Sequence, residues 1–245
     1  MQNILTEQPL SRSQQVILKS ADNSAAYLCL YIRSTEKYQK LPLNYICEVF
    51  EERFKDSYAF IYGDSIAAFL NAAPMKDDAA RLSLITGLKS FCSSMKLSAG
   101  ISNEFSELFD IRTHYIQAQA AAEDGLLLNP DDNLFFFSSY ATTEMVINAL
   151  GGLPAEAYYP EGLKKILEHD KNSSVSYLGT LRTFLEESMS YTAAAQRLFI
   201  HRSTLIDRLE RIEKEMNLDL KNPEQRLQLE ILLRAMDLEE IMSSD

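Results

Sequence analysis

The chain has 245 residues, of which 46% are hydrophobic, and a formal net charge of −11. That length and apolar content suffice for a sizeable core and suggest two modest domains rather than one large one. Three cysteines, Cys29, Cys47 and Cys92, are widely spaced with no CxxC pair and no nearby histidine cluster, which argues against a disulfide framework or a zinc site and fits buried free thiols.

Residues 1–23 read as an amino-terminal extension, and MQNILTEQPL lacks a basic segment followed by an apolar run. The longest apolar run, AAYLCLYI at 25–32, is far too short to span a bilayer and reads instead as a buried strand. A reducing cytoplasm is the expected compartment. LNYICEVFEERF predicts an amphipathic helix with Ile46, Val49, Phe50 and Phe54 on one side, and SYAFIYGDSIAAFL two strands joined by a Gly-Asp turn. A helix over DDAARLSLITGLKSFCSSM follows, then a strand at KLSAGIS, a long helix over FSELFDIRTHYIQAQAAAEDG and a last strand in NLFFFSS. Residues 24–140 are thus expected to form an α+β sheet domain.

After Tyr140 the strand signals stop. The segment 141–160, with GGLP and AYYP, reads as a linker containing a short helix at TTEMVINAL. From 161 to 245 every periodic segment is helical: EGLKKILEHD, SVSYLGTLRTFLEES, YTAAAQRLFIHRSTLIDRLERI, and NPEQRLQLEILLRAMDLEEIM with Pro223 in a first helical turn. The acidity is uneven. Residues 1–160 hold 12 basic and 19 acidic side chains, whereas 182–214 holds six basic and five acidic ones, so the surface around the third of these segments is close to neutral.

Two helices crossing sharply need a small residue at their approach, apolar residues to lock them and a short turn. In TAAAQRLFIHRSTLIDRL these are Ala195, the locks Leu198, Ile200, Leu205 and Leu209, and a turn over Leu198 to His201. The second helix is expected from about Arg202 to Glu215, with Leu205, Leu209 and Ile212 inward and Arg202, Ser203, Ile206 and Asp207 outward. The amino-terminal end of such a helix enters the major groove of DNA. Phe199 occupies the place where a turn glycine commonly sits, and His201 is a poorer cap than serine. The same pattern fits an ordinary helix pair whose arginines form a solvated face.

YLGTLRTFLEESMSYTAAAQRLFIHRSTLIDRLERIEKEMNLDLKNPEQRLQLEILLRAM resembles the carboxy-terminal helix-turn-helix domain of PucR/CdaR-type bacterial transcription regulators over about 80 residues from Glu161. The resemblance implies an all-α domain that binds double-stranded DNA, with His201, Arg202, Ser203, Thr204, Asp207, Arg208 and Arg211 as the expected contacts; a single such helix makes few of them, so useful affinity implies a homodimer on two half-sites. Family members usually carry Asn at the position of Ser203 and Tyr at that of Asp207, so it implies no base preference there. The amino-terminal half, down to SAGISNEFSELFDIRTHYIQAQAA, is similar to the GGDEF-like domain of the same family. Catalytic relatives of that domain hold Mg²⁺ on a triphosphate with strand carboxylates. Here Gly63 and Asp64 remain in the hairpin, but Ser65 stands at the metal-binding glutamate and Arg33 where the first strand should end in aspartate. The resemblance therefore implies a fold without the chemistry: no enzyme, no cofactor and no metal.

The resemblance also admits a small-molecule effector, since the family often has a further sensory domain ahead of the sheet domain, where only about 23 residues stand here. The rival reading is a protein-interaction or metabolite-sensing module that has lost DNA binding. Of the remaining candidates, His114 reads as a packed or surface histidine in a helix, His169 as a helix-end residue, Asp77-Asp78 as a helix start and Tyr158-Tyr159 as a packing element.

Overall fold

In the computed structural model, which describes residues 26–35 and 41–243, Tyr27–Ser34 form β1, the middle strand of a five-stranded sheet. Its order is β2 (Ser57–Tyr62), β3 (Ser65–Asn71), β1, β4 (Leu97–Ile101), β5 (Leu134–Phe136). The extension expected at 1–23 lies outside the described residues. β1 pairs antiparallel with β3 and β4, β2 pairs antiparallel with β3, and β4 pairs parallel with β5. β1 is apolar at successive positions because both of its faces are covered. Leu28, Leu30 and Ile32 join Ile46 and Phe50 of α1 (Leu43–Arg53) and Leu88, Phe91 and Cys92 of α2 (Asp78–Met95) in one cluster. Cys29 and Tyr31 join Ile111, Tyr115, Ala118 and Ala122 of α3 (Ile111–Leu128) in another. All three cysteines are buried and free, and burial pushes the Cys92 thiol up to about 12.

α3 lies unusually close to the sheet. A Cβ on Gly100 of β4 would stand 1.9 Å from the Ala118 carbonyl oxygen and 2.6 Å from the Ala122 nitrogen, so the approach exists only because β4 has no side chain there. The chain divides into two compact units between Met145 and Val146.

Three boundaries differ from expectation. The helix predicted from Phe105 begins only at Ile111, because the Phe105 backbone is taken by Tyr27, with N–H to carbonyl bonds of 2.7 and 3.0 Å in the two directions. The last strand ends at Phe136, since its partner β4 ends at the Ile101↔Phe136 pair and leaves nothing further to bond. Phe137 then opens α4 (Phe137–Leu150), so the helix expected over 142–150 starts five residues earlier.

Among the described residues past Val146 all regular structure is helical, through α5 (Leu163–Asn172), α6 (Tyr177–Glu186), α7 (Tyr191–Arg197), α8 (Arg202–Met216) and α9 (Pro223–Ser243). Ile166, Leu181, Phe184, Leu205, Leu209, Leu229 and Leu232 are buried in this second unit. Among the described residues no helix is long and apolar enough to cross a membrane.

Candidate nucleic-acid interface

α7 and α8 are built from the residues a helix pair needs. Ser190 caps α7 by accepting from the Ala193 N–H at 3.2 Å, and Ala194 and Ala195, both buried, leave room for the second helix. The turn is closed by Phe199 N–H to the Gln196 carbonyl at 3.1 Å and Ile200 N–H to the Ala195 carbonyl at 3.0 Å. Those two bonds make a Schellman motif in which Phe199 takes the left-handed position at φ +55°. His201 does cap α8: its Nδ1 accepts from the Ser203 N–H at 3.3 Å and lies 2.8 Å from Ser203 Oγ.

The inward face of α8 is Leu205, Leu209, Ile212 and Met216, all buried. Gly162, just before α5, fixes the other end of α8. Its φ is +83°, and a Cβ there would fall 1.8 Å from the Glu215 carbonyl oxygen.

Of the residues expected at the interface, His201, Arg202, Ser203, Thr204, Asp207 and Arg211 are exposed on α8 or its cap. Arg208 is not. It is half-buried and donates to Thr180 Oγ1 of α6 at 3.3 Å, so it ties α8 to its neighbour. Two of the exposed arginines rest on aromatic rings that the sequence pattern did not single out. The Arg202 guanidinium lies 5.7 Å from the Tyr191 ring centre, and that of Arg211 5.3 Å from Tyr177. Tyr191 is itself packed on Phe184 at 4.9 Å and Tyr177 on His169 at 4.5 Å, so both rings are anchored. Outside α8, Arg197 is paired with Glu186 and Glu187 at 2.7 and 2.9 Å, and Arg182 with Asp237 at 2.7 Å. The amino-terminal turn of α8 thus offers several hydrogen-bonding groups and a cation at the positive end of the helix dipole.

The sheet unit has different chemistry at the positions compared with a cyclase. Ser65 is buried, donates to the Tyr62 carbonyl at 2.8 Å and stands 3.3 Å from the Tyr115 hydroxyl. Tyr31 and Tyr62 set their rings edge-on to Tyr115 at 5.7 and 5.2 Å. Burial pushes the Tyr115 hydroxyl up to about 12, against the opposing Ser65 hydrogen bond, so it stays protonated at neutral pH. Arg33 and Asp64 are exposed. A buried serine hydroxyl and an exposed arginine thus stand at the two positions where a magnesium triphosphate requires carboxylates.

The other candidates have structural partners. His114 stacks on Phe105 at 4.2 Å with its Nδ1 3.1 Å from Gln117, and burial lowers its pKa. Asp77 caps α2 through the Ala80 N–H at 2.8 Å, and the Tyr158 hydroxyl donates to the Leu150 carbonyl at 2.8 Å.

The family model described as the PucR C-terminal helix-turn-helix domain matches residues 177–235, and that of the GGDEF-like domain matches residues 15–123. The chain thus carries a PucR-type helix-turn-helix domain and a GGDEF-like domain. The match to the helix-turn-helix domain runs from the start of α6 into α9, and that to the GGDEF-like domain takes in β1 to β4 and most of α3. Over 145 residues the chain is 32% identical to the purine catabolism regulatory protein of Bacillus subtilis (strain 168), covering 58% of this chain and 26% of that protein. Over 83 residues it is 36% identical to the DNA-binding transcriptional activator AdeR of the same organism, covering 33% of this chain and 20% of that one. The aligned stretches thus span about a quarter or less of these curated relatives. A solved regulator of polyketide synthase expression from Bifidobacterium adolescentis covers 98% of this chain and 96% of its own at 14% identity, with a TM-score of 0.41.

Proposed function

We propose that this chain is a cytoplasmic, DNA-binding transcription regulator that reads double-stranded DNA with the amino-terminal turn of α8, acts as a homodimer, and carries a GGDEF-like unit without nucleotide chemistry. The observation that carries the reading is the exposed row His201, Arg202, Ser203 and Thr204 on a helix whose opposite face is locked by Leu205, Leu209 and Ile212. In this arrangement Arg202 reaches a guanine edge or a flanking phosphate, and His201, Ser203 and Thr204 bond to base edges or phosphate oxygens. Asp207 accepts from cytosine N4 and repels phosphate, while Arg211, about one turn further, serves the backbone. Arg208 holds α8 against α6 instead of contacting phosphate.

A single short helix makes few contacts, so useful affinity calls for two half-sites one helical turn, or a multiple of it, apart. A small-molecule effector would act on this dimer. The names of the relatives, a regulatory protein and a transcriptional activator, support the same reading.

The test is selection of duplexes from a random library by the full chain, followed by titration at several salt concentrations. The expected result is at least about a thousandfold preference for selected over random duplex. Since Arg182 and Arg197 are engaged by carboxylates, the expected salt slope is shallow, roughly −4 for a dimer that neutralises about two phosphates per protomer. Equal retention of both duplexes would make this a protein- or metabolite-binding module. Formation of guanine dinucleotides from GTP and Mg²⁺ by the full chain would refute the non-catalytic assignment.

A further inference from the structure

Phe199 stands where glycine fits better. Its backbone is left-handed at φ +55°, held by the two turn bonds to Gln196 and Ala195, and a Cβ is strained in that conformation. Its ring is also 96% exposed, the highest value for a large apolar side chain among the described residues. Strain and solvation both oppose this residue, and glycine would remove both. A backbone outlier retained against stability points to a role outside folding. One residue, Ile200, separates Phe199 from the exposed row His201–Thr204, so an exposed ring stands next in the chain to the residues that open α8. Nucleic acid suits such a mixed face, because its grooves set thymine methyls and deoxyribose carbons beside hydrogen-bond acceptors and phosphates.

We propose that Phe199 is a further DNA contact, packing its ring on apolar carbon of the duplex, a thymine methyl or a deoxyribose, beside the groove that α8 enters. The assignment rests on the reading of α8 given above. Stability and binding should then move in opposite directions. In the full chain, Phe199→Gly raises the thermal midpoint of the helical unit by about 4 °C and weakens binding to the selected duplex about tenfold. Phe199→Leu keeps an apolar side chain on the same backbone and retains binding to within about threefold. Replacing thymine by deoxyuridine in each half-site locates the contact. A loss in the parent that is absent in the glycine variant assigns the methyl, and a glycine effect equal on both duplexes assigns deoxyribose.

A glycine variant that binds like the parent, or that is less stable, overturns the proposal. So does a glycine variant that changes the sedimentation of the chain without DNA, since the ring would then belong to a contact with a second copy. If Arg202→Ala weakens binding and Phe199→Gly does not, only the Phe199 assignment falls. If neither changes binding, or the parent retains no duplex, the reading of α8 falls with it.

Discussion

Arg202 and Arg208 differ by six positions and by what they touch. Arg202 is exposed over the anchored ring of Tyr191, which restrains a long side chain before any partner arrives; Arg208 is spent on Thr180. A pre-oriented cation loses less side-chain entropy on binding. Arg202→Ala is expected to weaken the proposed DNA complex by about 1–3 kcal/mol and to relax preference at one base pair per half-site. Tyr191→Leu should weaken it by about 0.5–1 kcal/mol, with binding recovered in Tyr191→Phe. In an Arg202→Ala background the Tyr191→Leu effect should vanish, and a full additional loss there would show that Tyr191 acts on the fold instead of on Arg202. Arg208→Ala should chiefly lower the stability of the helical unit, by about 1 kcal/mol, as read by denaturant titration.

The crossing of α3 over β4 depends on the absence of one methyl group. Because the atoms facing Gly100 are backbone, at 1.9 and 2.6 Å from the position of a Cβ, no rotamer change can relieve Gly100→Ala. The whole helix has to shift, and Ile111, Tyr115, Ala118 and Ala122 with it. The expected loss is about 3 kcal/mol or more in chemical denaturation, at the upper end for overpacked cores. An alanine variant within 1 kcal/mol of the parent would mean that α3 sits further from the sheet. The apolar period of α3 and the apolar run of β4 are legible in the sequence, whereas the start of α3 and the end of β5 are not. Both boundaries are decided by a partner strand, Tyr27 for Phe105 and Ile101 for Phe136, that local pattern does not contain.

Two carboxyls, Asp124 in the sheet unit and Asp170 in the helical one, respond to acid in opposite senses. In the sheet unit Asp124 is 5% exposed, with one carboxylate oxygen lacking a hydrogen-bond partner. Burial, with Glu144 and Glu123 adding to it, pushes the Asp124 carboxyl from its ordinary 3.8 up to about 6. A raised pKa means that the folded unit takes up the proton more readily than the unfolded chain. Its stabilising effect is complete below the ordinary value and is lost as pH rises through about 6, a difference of about 3 kcal/mol. Asp124→Asn should therefore flatten the stability of the sheet unit between pH 4 and 7, measured by hydrogen exchange of its strand amides, and an unchanged profile would sink the assignment.

In the helical unit Asp170 accepts from the Tyr177 and Leu178 N–H groups at 2.8 and 2.9 Å and from Ser176 Oγ at 2.7 Å. Burial alone would raise its pKa, but these bonds outweigh it and hold the carboxyl below its ordinary value. Its contribution is present above the ordinary carboxylate range and is lost as pH falls through the lowered value.

What the sequence determined by itself is the part that periodicity encodes. The unbroken apolar run of β1 required cover on both faces, and the spacing of Leu205, Leu209 and Ile212 chose the buried side of α8 and, by exclusion, the outward row at its start. Phe199 at the turn position was visible too, as an anomaly without a reason. Tertiary structure alone decided which arginines remain available. Arg202 and Arg208 both border the outward face of α8, and both long side chains can reach either water or a neighbouring helix. The choice was made by Thr180, 28 positions before Arg208, and by Tyr191, on the preceding helix, and neither shares a local pattern with its arginine. A helix carries in its own residues the side it buries, whereas the fate of a flexible cation at the edge of that side is settled only when another helix packs beside it.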